Sequence, residues 1–223
     1  MATPEQRREE LVELYREVRG CTRCPLAQTR TQAVFGAGNA NADLMFVGEA
    51  PGAQEDVQGI PFVGRAGKLL DELLAENGLD RGDVFIANVL KSRPPANRDP
   101  EPSEIEACKP YLYRQVELIE PTVICTLGNF ATKLLTRSST GISRVHGVPQ
   151  VHRVGGRSVQ IFPIFHPAAG LRTPRVKEQL REDFAKLPAL LAAGPPPQEP
   201  TIAPVDPAPE EPPPPPQPTL FSD

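Results

Sequence analysis

Four cysteines have a spacing that is typical of metal sites. Cys21 and Cys24 form a CxxC pair, and Cys108 and Cys125 follow far downstream. Two thiolates separated by two residues can share one metal centre, and two distant cysteines can complete a four-sulfur shell. The spacing alone leaves open whether the centre is zinc or an iron–sulfur cluster, and whether Cys108 and Cys125 are instead ordinary buried thiols.

Polar side chains at the ends of predicted strands indicate a second site. The stretch FVGEAPGAQED places Glu49 and Glu55 after an apolar run, Asn88 ends the next strand, and His166 follows the last one. Ligands of parallel α/β sheets bind beyond the carboxyl ends of the strands. These residue types suit acid–base chemistry and hydrogen bonding to a polar ligand, although Asn88 could cap a turn and His166 could be structural.

The periodicity of apolar residues predicts the elements that must position these groups. Strands are predicted at 43–48, 83–89 and 122–127 and in a β-rich stretch at 148–165, and helices at 5–19, 64–77, 102–119, 129–136 and 174–193. The alternation predicts a three-layer α/β/α sandwich with a central, mostly parallel four-stranded sheet.

Composition divides the chain into a domain at 1–193 and a tail at 194–223. The tail holds 13 prolines and five acidic residues without a basic one, which is typical of a disordered segment. Without it, 24 basic residues face 23 acidic ones, so the domain is close to neutral. No apolar run approaches the roughly 20 residues of a membrane span, and a cytoplasmic, nucleoid-associated location without disulfides is expected.

Several separated motifs in one order resemble the family 4 uracil-DNA glycosylases, the iron–sulfur branch of that superfamily. The matching stretches are the four cysteines, GEAPGAQED, GIPFVGRAG, NVLKSRPPANRDP and HPAAGLR, and the likeness covers about residues 5–193. The resemblance implies excision of uracil from DNA and a [4Fe-4S] cluster on Cys21, Cys24, Cys108 and Cys125. Many relatives have Cys where this chain has Ser92, a departure that leaves this expected ligand set intact.

The resemblance also implies roles for residues of the strand-end site. Phe62 would stack on a flipped uracil, Asn88 would read its edge, and His166 would donate to its O2 atom. The Gly48, Glu49 and Ala50 turn would add backbone donors, fixed by the Pro-Gly that follows. Glu49 and Glu55 would orient water and stabilise the cationic sugar, since Ala50 stands where classical uracil glycosylases have Asp.

Basic residues in Pro- and Gly-rich loops are candidates for phosphate contacts. They are Lys91, Arg93, Arg98, Arg144, His146, Arg172 and Arg175. One relative traps uracil-DNA covalently through a histidine in a basic loop, and KSRPPANRDP contains no histidine, so this chain is expected to turn over.

The end of the tail, QPTLFSD, resembles the short motif by which bacterial repair proteins bind the sliding clamp. Gln217, Leu220 and Phe221 would be the anchors, with Pro218 replacing the commoner Leu. A monomer is expected. The alternative functions are a non-catalytic iron–sulfur nucleic-acid-binding protein and a broader mismatch-directed glycosylase; Asn88 favours strict uracil specificity over the latter.

Overall fold

A six-stranded sheet forms the centre of the computed structural model, which describes residues 3–198. The clamp-motif residues Gln217, Leu220 and Phe221 lie outside the described residues. The strands are β1 (Ala37–Gly38), β2 (Leu44–Gly48), β3 (Phe85–Asn88), β4 (Val123–Leu127), β5 (Gln150–Val154) and β6 (Arg157–Ile164). Their order is β1-β3-β2-β4-β6-β5. The four inner strands are parallel and both edge strands are antiparallel.

The predicted four-stranded sheet is therefore corrected to six strands. The four inner strands are the predicted parallel ones. β1 was missed because two residues are too short to carry an alternating pattern. β5 (QVHRV) forms a hairpin with β6, and its polar, half-exposed residues gave only a general β-rich signal.

Helices cover both faces of the sheet, as the α/β/α prediction requires. They are α1 (Pro4–Gly20), α2 (Ala53–Gln58), α3 (Arg65–Glu76), α4 (Pro102–Ile119), α5 (Asn129–Thr136), α6 (Ile142–Val145), α7 (Pro167–Gly170), α8 (Pro174–Phe184) and α9 (Leu187–Ala192). The single helix predicted at 174–193 is two helices. Pro188 explains the break, because its ring has no N–H and clashes with the carbonyl four residues earlier.

The sheet separates two hydrophobic cores. Met45, Val47 and Ile124 pack with Leu11 and Leu112 from α1 and α4. The alternate residues Leu44, Phe46 and Cys125 pack on the other side with Leu70 and Phe184 from α3 and α8. Successive side chains of a strand point to opposite faces, so this division follows from the pleat. Among residues 3–198, no helix is both long and apolar enough to span a membrane.

Candidate active site

The carboxyl ends of three parallel strands bring the predicted strand-end residues to one edge of the sheet. Gly48 at the end of β2 lies in register with Asn88 at the end of β3. His166 follows β6 and begins α7. A cleft of about 700 Å³ opens here, and its lining includes Glu49, Ala50, Asn97, Asn129, His166 and Arg172. Asn88 is not part of this lining, so the single site predicted at these strand ends stays a prediction.

Asn88 is a buried amide with an unused acceptor. The residue is 1% exposed, and its Oδ1 atom has no hydrogen-bond partner among the described residues. An unpaired buried polar group costs about 1–3 kcal/mol, so its presence calls for a ligand or a strong local reason. A Cβ built on Gly48 would stand only 2.4 Å from this oxygen. Glycine at position 48 therefore allows the Asn88 amide to lie this close to the end of β2.

Phe62 forms an aromatic wall beside Gly48. Its ring stacks on the His166 ring, with centroids 5.6 Å apart and planes inclined by 27°. A Cβ on Gly48 would also lie 2.8 Å from the Phe62 Cζ atom. The backbone of Phe62 is left-handed, with φ of 52°. Such a conformation is uncommon for a bulky residue and requires support from its surroundings.

Glu55 supplies that support. Its Oε1 atom accepts hydrogen bonds from the backbone N–H groups of Val63 and Gly64, each at 3.0 Å. Gly64 is the N-cap of α3, so the carboxylate holds the backbone at the start of this helix, where a negative charge is favourable. Gly67 in the first turn lies against the Phe62 carbonyl, where a Cβ would be 1.8 Å from the oxygen. The start of α3 and the turn at Phe62 are thus fixed relative to each other by the Glu55 hydrogen bonds and by the close packing of Gly67.

His166 is held as a neutral donor. Its Nδ1 atom accepts a hydrogen bond of 3.1 Å from the Ala168 N–H, so the ring proton is on Nε2. The pKa of His166 is lowered to about 4. Burial is the main cause, the positive charge of Arg172 adds to it, and the negative charge of Glu55 opposes it more weakly. The imidazole therefore remains neutral at physiological pH while part of its ring faces the cleft.

Glu49 is the carboxylate that lines the cleft. Its backbone carbonyl is already engaged by the Leu90 N–H at 3.0 Å, which fixes the turn after β2. Burial raises the pKa of Glu49 to about 7, and the negative charge of Asp99 contributes to the increase. A carboxylate with such a pKa can exchange a proton near neutral pH, which suits a general base.

Lys91 contradicts the predicted phosphate contact. The residue is only 2% exposed, and its Nζ atom donates to the Asn88 carbonyl at 2.8 Å and to Gln115 Oε1 at 2.6 Å. Burial lowers the pKa of Lys91 to about 7. A side chain enclosed in this way cannot reach a DNA backbone, and it instead secures the residue that ends β3.

The other predicted DNA-contacting residues lie nearer to solvent. Arg144, Arg172 and Arg175 are exposed, and Arg172 lines the cleft. His146 bonds through Nδ1 to Asp183 at 2.8 Å and packs on Phe165, with ring centroids 4.4 Å apart.

Arg93 and Arg98, in the proline-rich loop that precedes α4, both have partners: Arg93 within the loop and Arg98 in the first turn of α4. Arg93 donates to Asn97 Oδ1 at 2.8 Å. Arg98 makes two hydrogen bonds, of 2.9 and 2.5 Å, with the fully buried Glu104. Phosphate contact by Arg98 would have to share a guanidinium that this carboxylate already holds.

The four cysteines do not come together as predicted. Cys108 on α4 belongs to the core that also contacts Cys21 and Cys24, whereas Cys125 on β4 belongs to the core on the opposite face of the sheet. Within residues 3–198, no group of three or more His, Cys, Asp and Glu side chains is arranged to hold a single metal ion. The expected ligand set of Cys21, Cys24, Cys108 and Cys125 is therefore corrected, because the sheet separates Cys125 from the others.

Two residues around the site were missed by reasoning from sequence. Gln115 accepts from Lys91 and donates to the Phe35 carbonyl at 2.9 Å. Gln115 could have been recognised from the sequence, because it is a polar residue on the apolar stripe of α4, one turn beyond Tyr111 and Leu112. Asp99, which influences Glu49, carried no signal of its own in a loop with many charges.

Sequence comparison finds that this chain is similar to uracil-DNA glycosylases. A sequence model of the uracil DNA glycosylase superfamily matches residues 35–187. The type-4 uracil-DNA glycosylase of Archaeoglobus fulgidus is 50% identical over 184 residues, covering 80% of this chain and 92% of that protein. Those of Saccharolobus solfataricus and Thermotoga maritima are 48% and 46% identical, each over 80% of this chain and over 85% and 94% of their own lengths. The chain belongs to the type-4 branch of the uracil-DNA glycosylase superfamily.

Proposed function

We propose that this protein removes uracil from DNA by hydrolysing the bond between the base and deoxyribose, leaving an abasic site. The observation that carries the proposal is the buried Asn88 amide, whose unpaired Oδ1 atom lies against Gly48 at the end of β2. The target base must leave the duplex to reach such a pocket, at a cost of a few kcal/mol that pocket contacts must offset. Phe62 provides the apolar face for this purpose.

Asn88 distinguishes uracil from cytosine by hydrogen bonding. Its Oδ1 accepts the N3–H of uracil, and its Nδ2 donates to O4. Cytosine presents an acceptor at N3 and a donor at the C4 position, so both contacts would be frustrated. Mismatches of this kind between buried polar groups discriminate strongly, because neither group can find an alternative partner.

His166 stabilises the departing base. Cleavage leaves negative charge on the uracil ring, which spreads to its carbonyl oxygens, and the Nε2–H of a neutral imidazole can donate to O2. The Ala168 N–H fixes this tautomer, and the low pKa of His166 keeps its Nδ1 atom unprotonated so that it can accept that hydrogen bond. The donor is therefore in place before the charge develops.

Glu49 serves as the base that directs water to the sugar. In its ionised form it accepts a proton from water and stabilises positive charge on the deoxyribose. Its position in the cleft and its pKa of about 7 support this role. Glu55 has a different role in the proposal, since its Oε1 atom is committed to two backbone amides, and it positions Phe62.

DNA is held at the mouth of the cleft by its phosphates. The exposed guanidinium groups of Arg144, Arg172 and Arg175 are the contacts we propose. His146 is oriented by Asp183 and lies against Phe165, which lines the cleft.

An iron–sulfur cluster is also part of the proposal. The resemblance to the iron–sulfur branch supports it, as does the packing of Cys21 and Cys24 against the core that contains Cys108. Such a cluster would join the end of α1 to α4 and so contribute to folding. No step of the proposed hydrolysis passes through it.

A glycosylase assay tests the function. The protein is incubated with a labelled oligonucleotide containing one uracil, with a thymine-containing control, and abasic sites are then cleaved with alkali. We expect cleavage at uracil only, and a rate at least about 100-fold lower in Asn88→Ala. Asn41→Ala is the matched control, because Asn41 precedes β2 at the opposite end of the sheet. No cleavage by folded, metal-replete protein would contradict the proposal and favour a non-catalytic DNA-binding protein.

A further inference from the structure

We propose that the cluster of this chain is held by three cysteines, Cys21, Cys24 and Cys108, with the Ser92 hydroxyl at its fourth corner. Cys125 takes no part. The inference rests on the proposed cluster and is independent of the proposed catalysis, because the cysteines lie apart from the cleft. It is carried by three contacts among the described residues.

The first contact joins the CxxC segment to α4. Cys108 and Tyr111 are three residues apart and so lie on one face of that helix. The Tyr111 hydroxyl donates a hydrogen bond to the Cys21 sulfur. Arg23, between the two cysteines of the pair, lies over the Tyr111 ring at 4.8 Å. The CxxC turn is therefore seated on the part of α4 that carries Cys108.

The second contact places Ser92 beside the same turn. Ser92 is 2% exposed, and its Oγ atom accepts a hydrogen bond of 3.0 Å from Arg30 Nη1. The other terminal nitrogen of Arg30 donates to the Cys21 carbonyl at 2.8 Å. One guanidinium thus holds Ser92 and the first cysteine of the pair together.

The third contact connects Ser92 to Cys108. The backbone N–H of Lys91, the residue immediately before Ser92, donates to the Cys108 sulfur. Ser92 is therefore linked to Cys21 through Arg30 and directly follows the residue that bonds to Cys108, and its buried side chain has an oxygen that can bind iron. A residue in this place completes a four-cornered ligand set that the three thiolates begin.

Cys125 is excluded by its surroundings. It is fully buried and lies in register between Phe46 of β2 and Phe162 of β6. These three side chains share the core on the far side of the sheet from Cys108. No rotamer can carry its sulfur through a hydrogen-bonded sheet, so it is a core thiol.

An oxygen corner changes the behaviour of the cluster in air. Iron prefers thiolate to a serine oxygen in such a site, so the iron at Ser92 is the one lost first. Dioxygen would take one electron from a [4Fe-4S]²⁺ core and become superoxide, and the oxidised core would release this iron as Fe²⁺ and leave [3Fe-4S]⁺. That product has an unpaired spin, whereas the starting core is silent in electron paramagnetic resonance.

Metal analysis and spin resonance test the inference. Wild type, Cys125→Ala, Cys108→Ala and Ser92→Cys are purified without oxygen and analysed for iron, sulfide and zinc. They are then exposed briefly to air. We expect wild-type iron in Cys125→Ala, loss of most iron in Cys108→Ala, and a three-iron signal in oxidised wild type that is absent from Ser92→Cys.

Three results would overturn the inference. The first is loss of iron from Cys125→Ala that still unfolds cooperatively, since circular dichroism would exclude a folding defect. The second is identical oxidation of wild type and Ser92→Cys. The third is stoichiometric zinc without iron. Because none of these readouts uses uracil, a failure here is distinguishable from a failure of the proposed glycosylase activity.

Discussion

The Asn88 side chain and the Gly48 backbone face each other so closely that a single added carbon would stand 2.4 Å from Asn88 Oδ1. Gly48→Ala should therefore displace the amide or the Phe62 ring. We expect kcat/KM on uracil-DNA to fall about 10- to 100-fold, from an overpacking cost of about 1–3 kcal/mol. Gly82→Ala is the control, because a Cβ there meets nothing within 4 Å. Equal activities of the two variants would contradict this account of the pocket.

Glu49 should impose a pH dependence on excision. Its pKa of about 7 means that the active carboxylate form increases as pH rises through neutrality. Single-turnover rates of the wild type should rise between about pH 6 and 8 and then level off. Glu49→Gln should be slow at every pH and lack this rise. A pH profile unchanged by the substitution would show that another group activates water.

Glu55 should matter for stability more than for chemistry. Glu55→Ala leaves the Val63 and Gly64 amides without their acceptor, which should lower the free energy of unfolding by about 1–3 kcal/mol. Glu55→Gln retains a carbonyl oxygen and should keep much of both stability and turnover. Denaturant titration and single-turnover rates check this. A Glu55→Gln variant as inactive as Glu49→Gln would instead indicate direct participation in the reaction.

Substitutions of Lys91 and Arg172 should have different effects on the salt dependence of DNA binding. Each phosphate contact contributes about 0.9 to the slope of log affinity against log salt concentration. Arg172→Ala should reduce the slope by about this amount, whereas Lys91→Met should leave it unchanged and lower stability. Titrations at several salt concentrations with uracil-free DNA measure both. A smaller slope for folded Lys91→Met would restore its predicted role in phosphate contact.

The protein should release its product without forming a covalent bond to DNA. The proline-rich loop at 92–99 contains no histidine, and His166 is committed through Nδ1 to a backbone amide. Incubation with labelled uracil-DNA followed by denaturing electrophoresis should therefore show free DNA only. A labelled band that migrates with the protein after denaturation would contradict this.

Much of the fold follows from local sequence. The bounds of α4 were predicted correctly because proline at its N-terminus and a long apolar stripe leave little ambiguity. The positions of Glu49, Asn88 and His166 at strand ends also followed, since parallel strands share one carboxyl edge.

The errors arose where topology decides. Neighbouring residues of β4 face opposite cores, so Ile124 packs with α4 and Cys125 does not, although the sequence shows only a cysteine on an apolar strand. A lysine in a proline-rich loop is expected from its sequence to be solvated. In the structure, Lys91 is enclosed through its contact with Gln115 of α4. In both cases the deciding contact is with a helix distant in sequence, and no local pattern specifies it.

The left-handed Phe62 turn has a consequence for affinity. Glu55, Gly64 and Gly67 fix this turn as part of the start of α3. The conformational entropy of ordering the aromatic wall is therefore lost when the chain folds, and binding energy from DNA is not needed for it. The contacts of the flipped base can then be used in full to offset its removal from the duplex, which makes the stability of one helix N-terminus a determinant of how readily a lesion is captured.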